Sequence, residues 1–508
     1  MVSTFNGLEM AKRALSAQQA AMYTTSHNIS NANTEGYTRQ RVNFQAINGL
    51  TSSREPGGLI DRVGNGVEPG SIERIREQFL DVQYRKENAK TQYYSQRAEA
   101  ANQMEAILNE PSEEGLSHIF DQFWNSLQDL SVNPEDSGAR SVVAQRAQAV
   151  ADTFNYISNS LESVRDDLKN EMDVKETEFN SLLNQINQLN RQIGEVEPHG
   201  HVPNDLYDER DRLLDQLSSI ADISVSYEKS SGMPSPFAMG KATVKLKSEG
   251  SDVTLVDGSD DNYTVNQLEV LTDANNNVTG FTFTHSETGD VTSISAENFK
   301  ATGQLKGLME MNGYETATGT VGVYTDMLEN LDTMAEAFVE KFNATHAGGY
   351  DLNGDPGIGN FFVIDTAATR SSSTISVNEI ILDDKDKIAA SSVPNASGDG
   401  LNAVDLAASY TDYLPGSLGD KTSVKSYFEG VIGELGVVAQ EAYRMEANAG
   451  TLRQQVSNNR DSVSRVSLDE EMTNLIKFQH AYNAAARSMT TVDEMLDRII
   501  NNLGLVGR

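Results

Sequence analysis

No cysteine occurs in the 508 residues. That excludes disulfide staples, thiolate nucleophiles and thiolate metal sites, and it suits any redox compartment, an exported one included. Tryptophan occurs once. No segment approaches the run of about 20 apolar residues that a membrane span requires. Cations are scarce: 40 Lys and Arg stand against 74 Asp and Glu, a net charge of −34. Nucleic acid and anionic membrane surfaces need clustered cations, so neither is an expected partner. The N-terminal stretch lacks a signal-peptide apolar core, which by itself reads as cytoplasmic and leaves export with an uncleaved N-terminus open. The hydrophobic share, 38%, is enough for a packed core and argues against wholesale disorder.

What is present is unevenly placed. Residues 1–50 carry Lys12, Arg13, Arg39 and Arg41 against Glu9 and Glu35, and residues 465–508 are also near neutral, so the acid excess lies in the interior. Near-neutral ends can pack against copies of themselves, and an acidic middle keeps a free subunit in solution. An ordinary acidic surface explains the same distribution.

Leu8, Leu15, Met22 and Ile29 recur every seven residues and predict an amphipathic first helix with a heptad seam. Asn28, Asn31, Asn33 and Gly36 break it, and Tyr37 to Ala46 reads as extended. Helical pattern follows over 73–109, 113–131, 138–193 and 205–221. From 223 to 299 the chain is rich in Val, Thr, Ser, Gly and Asp with alternating apolar positions, an all-β insertion. Helix is expected again over 305–346, then a Gly-, Ser- and Asp-rich insertion over 348–422, then a helical block from 425 to 503. Leu468, Met472, Leu475, Tyr482, Met489, Val492, Leu496, Ile499 and Leu503 form a second seam. Ser467 and Glu470 read as a capping box opening the last helix, with Asp469 to Glu471 offsetting its dipole.

The fold class expected is therefore α+β and multidomain: a discontinuous long-helix bundle or coiled coil formed by both chain ends, with β-rich domains inserted. The expected division is a terminal coiled coil (1–50 with 465–508), a helical core (51–222, 303–347 and 423–464), a β domain (223–302) and a small α/β insertion (348–422).

The chain carries no GxSxG elbow, HExxH helix or GxGxxG turn. Gly240-Lys241 lacks the Ser or Thr of a phosphate loop and reads as part of a hairpin. His199 and His201 flank Gly200 in a polar turn with no further ligand cluster. Asp351, Asn353 and Asp355 imitate the start of a calcium loop, but Pro356 and Phe362 occupy its required Gly and Glu positions, so an Asx-type turn is expected. Trp124 lies on an apolar helix face and reads as core. No catalytic residue, metal or cofactor is expected.

Four segments carry a resemblance. Ser26-His-Asn-Ile-Ser-Asn-Ala-Asn-Thr-Glu-Gly-Tyr-Thr-Arg-Gln40, with Asn28, Asn31, Asn33, Thr34, Gly36 and Tyr37 as its turn motif, resembles flagellar rod, hook and hook-associated proteins. Asn204 to Leu214, Gly348 to Gly354 with Phe361-Phe362, and Val466 to Arg487 are similar to the hook-associated protein 1, or hook–filament junction, family. The resemblance implies a self-assembling structural subunit and no enzyme. It implies export through the flagellar type III apparatus to the extracellular flagellum. It also implies a ring of copies of the chain between the hook protein and the second junction protein, and an export chaperone on the C-terminal helix. The seam residues would serve assembly and chaperone in turn, and the terminal helices would be partly disordered before assembly. Another axial protein, an extracellular adhesive protein and an enzyme inserted at 223–299 or 348–422 are the competing readings.

Overall fold

The computed structural model describes residues 4–47, 66–108, 112, 115–248, 252–259, 262–365, 367–413, 418–419 and 422–502. Helix α1 (Thr4–Ser30) leads through an Asn-rich turn into the antiparallel pair β1 (Gln40–Ala46) and β2 (Val67–Arg74). Three helices follow: α2 (Gln78–Leu108), α3 (Leu116–Val132) and α4 (Ser137–Val196). Asp136 caps α4 by accepting the Gly138 N–H at 2.7 Å. The 60 residues of α4 span roughly 90 Å at ~1.5 Å each. Its buried stripe, including Val143, Ala147, Val150, Phe154, Ile157 and Leu161, keeps one face on the core throughout. A left-handed Gly200 (φ +82°) turns the chain into α5 (Asn204–Ile220).

The β-rich region forms two sheets. Strands β3 (Ile223–Glu228), β4 (Lys241–Leu246) and β5 (Val253–Val256) make an antiparallel meander. Strands β6 (Asn266–Thr272), β7 (Val278–His285) and β8 (Val291–Ser295) make the second, with β7 central. Two asparagines of α4 hold the sheets, each binding a strand residue's backbone on both sides. Asn190 pairs with Ala242 (2.8 and 2.9 Å) and Asn180 with Leu268 (2.7 and 2.8 Å). Each bond pair satisfies a strand peptide that the ladder leaves open.

Then come α6 (Gln304–Asn312), β9 (Tyr314–Thr316), β10 (Gly319–Val321) and α7 (Val323–Gly348). The helix expected over 305–346 is thus two helices separated by a hairpin, which joins the second sheet by a bridge from Tyr314 to Val278. Glycine is the reason. Gly313 has φ +132°, and a Cβ there would lie 2.2 Å from Thr325 Oγ1. Likewise the helix expected from 73 begins at Gln78, because residues up to Arg74 pair with β1. The 348–422 region holds β11 (Phe362–Val363), β12 (Ser376–Val377), α8 (Glu379–Asp383) and α9 (Leu401–Ala408). The chain closes with α10 (Val424–Ser464), packed along α2, and α11 (Leu468–Asn502), packed along α1.

The core runs along α4 and widens into an aromatic cluster. Phe120 stacks on Tyr410 (centroids 4.6 Å apart) and meets Phe338 and Phe154 edge-on at 5.0 and 5.8 Å. Trp124 packs, half-buried, against this core. Among the described residues, no helix is long and apolar enough to cross a membrane.

Candidate functional site: the terminal helix pair and its clamp

α1 and α11 run antiparallel. A Cβ on Gly7 would touch Val492 at 3.6 Å, and at the far end Asn28 Nδ2 donates to Glu471 Oε2 at 3.0 Å. The buried line of α1 is small: Ala11, Ala17, Ala21, Thr24 and Thr25, ending at Asn28. Small side chains let the two backbones approach. The larger seam residues Leu8, Leu15, Met22 and Ile29 are half-buried and flank that line. On α11, Leu496 is buried and Leu475, Tyr482, Met489 and Val492 are half-buried. Leu468, Met472 and Ile499 are exposed instead, Met472 by 56%, together with Ile476, Met495 and Ile500. Leu503 lies outside the described residues. The C-terminal apolar set therefore divides between residues at least half-buried and residues left open near both ends of α11.

The Asn-rich turn is built around Asn28, which is buried and fully hydrogen-bonded. Its Nδ2 donates to Gln40 O (2.8 Å) and to Glu471, and its Oδ1 accepts from Tyr37 OH (2.8 Å) and Gln40 N (3.0 Å). One amide thus fastens the end of α1 to the start of β1 and to α11. Burial, reinforced by Asp208, pushes the Tyr37 hydroxyl well above its ordinary value, so it remains a donor. Asn31 Nδ2 donates to His27 O (3.1 Å) and Asn31 Oδ1 accepts from Thr34 Oγ1 (3.2 Å). Gly36 supplies the left-handed residue, φ +80°. Asn33 and Thr34 are exposed on a polar cleft that Arg460, Ser464 and Arg465 also line.

From this turn an ion-pair network reaches the body. Arg39 donates to Glu471 through Nε and Nη2, both at 2.8 Å, and to Glu470 through Nη1 at 2.7 Å. Its own N–H donates to Ser464 O at 2.9 Å, so it bridges the break between α10 and α11. Glu470 and Glu471, read from sequence as cap and dipole residues, are thus tied to Arg39 across the fold. On the other side, Thr38 N donates to Asp208 Oδ2 (3.1 Å) and Gln40 Nε2 to Asp205 Oδ1 (3.2 Å). Arg74 donates to Asp208 (2.8 Å) and Asp211 (2.9 Å). Arg85 donates to Asp215 (2.8 Å) and Asp211 (3.3 Å), and Arg460 pairs with Asp215 at 2.5 Å. Burial alone would raise the Asp211 carboxyl. Arg76, Arg74 and Arg85 outweigh it and hold the group far below the usual carboxylate range.

The acidic residues of the Asn204–Leu214 segment are therefore a hub joining the Asn turn, β2 and α2 to α5, while Asp215 next to it receives α10. In the sequence this segment stands out only by its family resemblance, which does not assign it this role. Its spacing, Asp208-x-x-Asp211-x-x-x-Asp215, places three carboxylates on one helix face and is the signal that was available.

The remaining sequence candidates take structural places. Asp351 Oδ1 accepts from Asn353 N and Asp355 N, both at 2.9 Å, and Lys387 Nζ lies 2.9 Å from its Oδ2, forming an Asx turn closed by an ammonium group. His199 and His201 are exposed. Gly240, φ +86°, precedes β4 where its Cβ would meet Glu228 O at 2.0 Å. Among the described residues there is no group of three or more His, Asp or Glu able to hold a metal.

Residues 101–362 match the family model described as flagellar hook-associated protein FlgK helical domain. Residues 459–503 match the flagellar basal body rod FlgEFG protein C-terminal model, and 8–38 the flagella basal body rod protein model. Flagellar hook-associated protein 1 of Bacillus subtilis is 47% identical over 100% of both chains. That of Escherichia coli is 25% identical over 97% of this chain and 98% of its own. The flagellar hook junction protein FlgK of Burkholderia pseudomallei shares the fold, with a TM-score of 0.58 and 15% identity over 76% of this chain and 100% of that one. This chain belongs to the flagellar hook-associated protein 1 family.

Proposed function

We propose that the chain is a structural subunit that forms the junction between hook and filament by self-assembly. The observation that carries this reading is the terminal pair. α1 and α11 pack along each other and leave two groups of large apolar residues on α11 open, Leu468, Met472 and Ile476 near its start and Met495, Ile499 and Ile500 near its end. Other subunits cover those two groups in the assembled structure, where the hydrophobic gain is about 25 cal/mol per Å² of apolar surface removed from water. The clamp at Asn28, Arg39 and Glu471 fixes the direction in which the pair leaves the body, as a subunit packed in a tube requires.

In this reading the partners are copies of the chain in a ring, the hook protein on one side and the second junction protein on the other. The chain travels by the flagellar type III route, with a chaperone holding the open face of α11 until secretion. The terminal pair, the helical core and the inserted β domains act as separate units of this assembly. Family membership makes the chain a component of the flagellum, and its network of paired charges positions the terminal pair against the body.

The test is rescue of cells whose hooks lack this subunit. Filaments should grow with the full chain and fail with a chain missing residues 470–508. Secretion of the full chain onto hooks that stay bare would refute the junction role. Growth with both chains would refute the need for α11.

A further inference from the structure

A second polar cleft lies far from the clamp in sequence. It opens between α4, the turn joining β6 to β7, α7 and the segment after β11, and its wall includes Glu162, Arg165, Asn276, Glu329, Arg370 and Ser373. Arg165 forms its floor and is 1% exposed. Its Nη2 donates to Asn277 Oδ1 at 2.8 Å and to Asn275 O, which locks the β6–β7 turn onto α4.

The rest of the guanidinium is poorly served. Nη1 is 3.5 Å from Glu162 Oε1, and Nε is buried without a hydrogen-bond partner. The second carboxylate oxygen, Glu162 Oε2, is likewise buried without a partner, and Arg370 Nε stands 4.0 Å from it. Charge-assisted hydrogen bonds close to about 2.7–2.9 Å. Here a carboxylate sits between two guanidiniums and closes onto neither, while Arg370 is held from behind by Asp332, 3.2 Å from its Nη1. Burial accordingly lowers the Arg165 pKa, with Glu162 compensating only in part.

We propose that this cleft binds hydrogen phosphate. A ligand that suits it must accept from Arg165 and Arg370 and must also donate to Glu162. Inorganic phosphate at neutral pH does both, since it carries acceptor oxygens and keeps at least one proton. Sulfate has the same shape and no proton, so its oxygen would face the Glu162 carboxylate with no hydrogen between them. A site built around such a donor rejects the analogue that lacks it, because the buried acceptor stays unpaired. The bound ion would bridge α4, the β6–β7 turn and the Arg370 segment, three pieces far apart in sequence.

The test is calorimetric titration of the full-length protein with inorganic phosphate and with sulfate at matched ionic strength and neutral pH. Phosphate should bind saturably at one site per chain, with sulfate at least about tenfold weaker. Glu162→Gln, at a side chain 41% exposed and so tolerant of replacement, should bring the two anions within about threefold of each other, since an amide donates where the carboxylate only accepted. Arg370→Gln should weaken phosphate by about tenfold, the loss of one charge-assisted bond. Equal binding of both anions to the unmodified chain, no saturable phosphate binding, or unchanged selectivity in Glu162→Gln would each overturn the proposal.

Discussion

Replacing Arg39 by alanine should detach α11 from the body without unfolding the body. Glu471 is 2% exposed and accepts hydrogen bonds from Asn28 and Arg39. Without Arg39 its carboxylate stays buried with the Asn28 amide as its remaining partner in this network. Breaking a buried pair by removing one partner costs about 3–5 kcal/mol. The Glu470 contact adds little, because that side chain is 61% exposed and its pairing is screened. Taking the lower end, about 3 kcal/mol corresponds to roughly a hundredfold faster opening-limited exchange. Hydrogen exchange on the full chain therefore should show loss of protection in 4–30 and 468–496, with α4 unchanged. A double cycle with Glu471→Gln should return a coupling of about 2 kcal/mol or more, since the residues share one network. Unaltered protection of α11 in Arg39→Ala would refute the clamp, and equal loss in α4 would refute the separation of the terminal pair from the body.

Three further outcomes are expected. His346 is buried with Nδ1 2.6 Å from Ile358 O and Nε2 accepting from Ala389 N at 3.0 Å, an arrangement for the neutral ring, and burial pushes its pKa down to about 4. The unfolded chain takes up this proton near pH 6.5 and the folded one near 4, so stability should be level above 6.5 and fall by about 3 kcal/mol as pH drops to 4. Denaturant titrations across that range should show a shallower fall in His346→Gln. Gly240→Ala should cost about 2 kcal/mol or more, because φ is +86° and the new Cβ would sit 2.0 Å from Glu228 O; an unchanged denaturation midpoint would refute this. Phe120→Ala should cost about 3–5 kcal/mol by opening a cavity among Phe154, Phe338 and Tyr410, measured by the same titration.

Much of the architecture was legible in the residues alone. The end of β1, the long helix α4 and the start of α11 after Ser467 follow from periodicity, caps and turn residues, signals that act within a few positions of the chain. The hairpin at 314–321 was missed because its apolar spacing continues a helical pattern, and the conformation Gly313 adopts is set by Thr325, which packs against it. The clamp was half legible. The Asn-rich turn announces itself by composition, since Asn and Gly tolerate the backbone it needs. Arg39 meeting Glu471, and Asp211 meeting Arg74, Arg76 and Arg85, cannot be read from spacing, because these pairs join segments hundreds of residues or many helical turns apart. By itself, then, the sequence determined most of the helices, the absence of thiol chemistry and the helical, near-neutral ends. The tertiary structure decided which residues of each terminal helix are covered and which are open, because burial depends on the elements packed against it: on α1 the alanines Ala11, Ala17 and Ala21 are buried while Leu8 and Leu15 are half-buried.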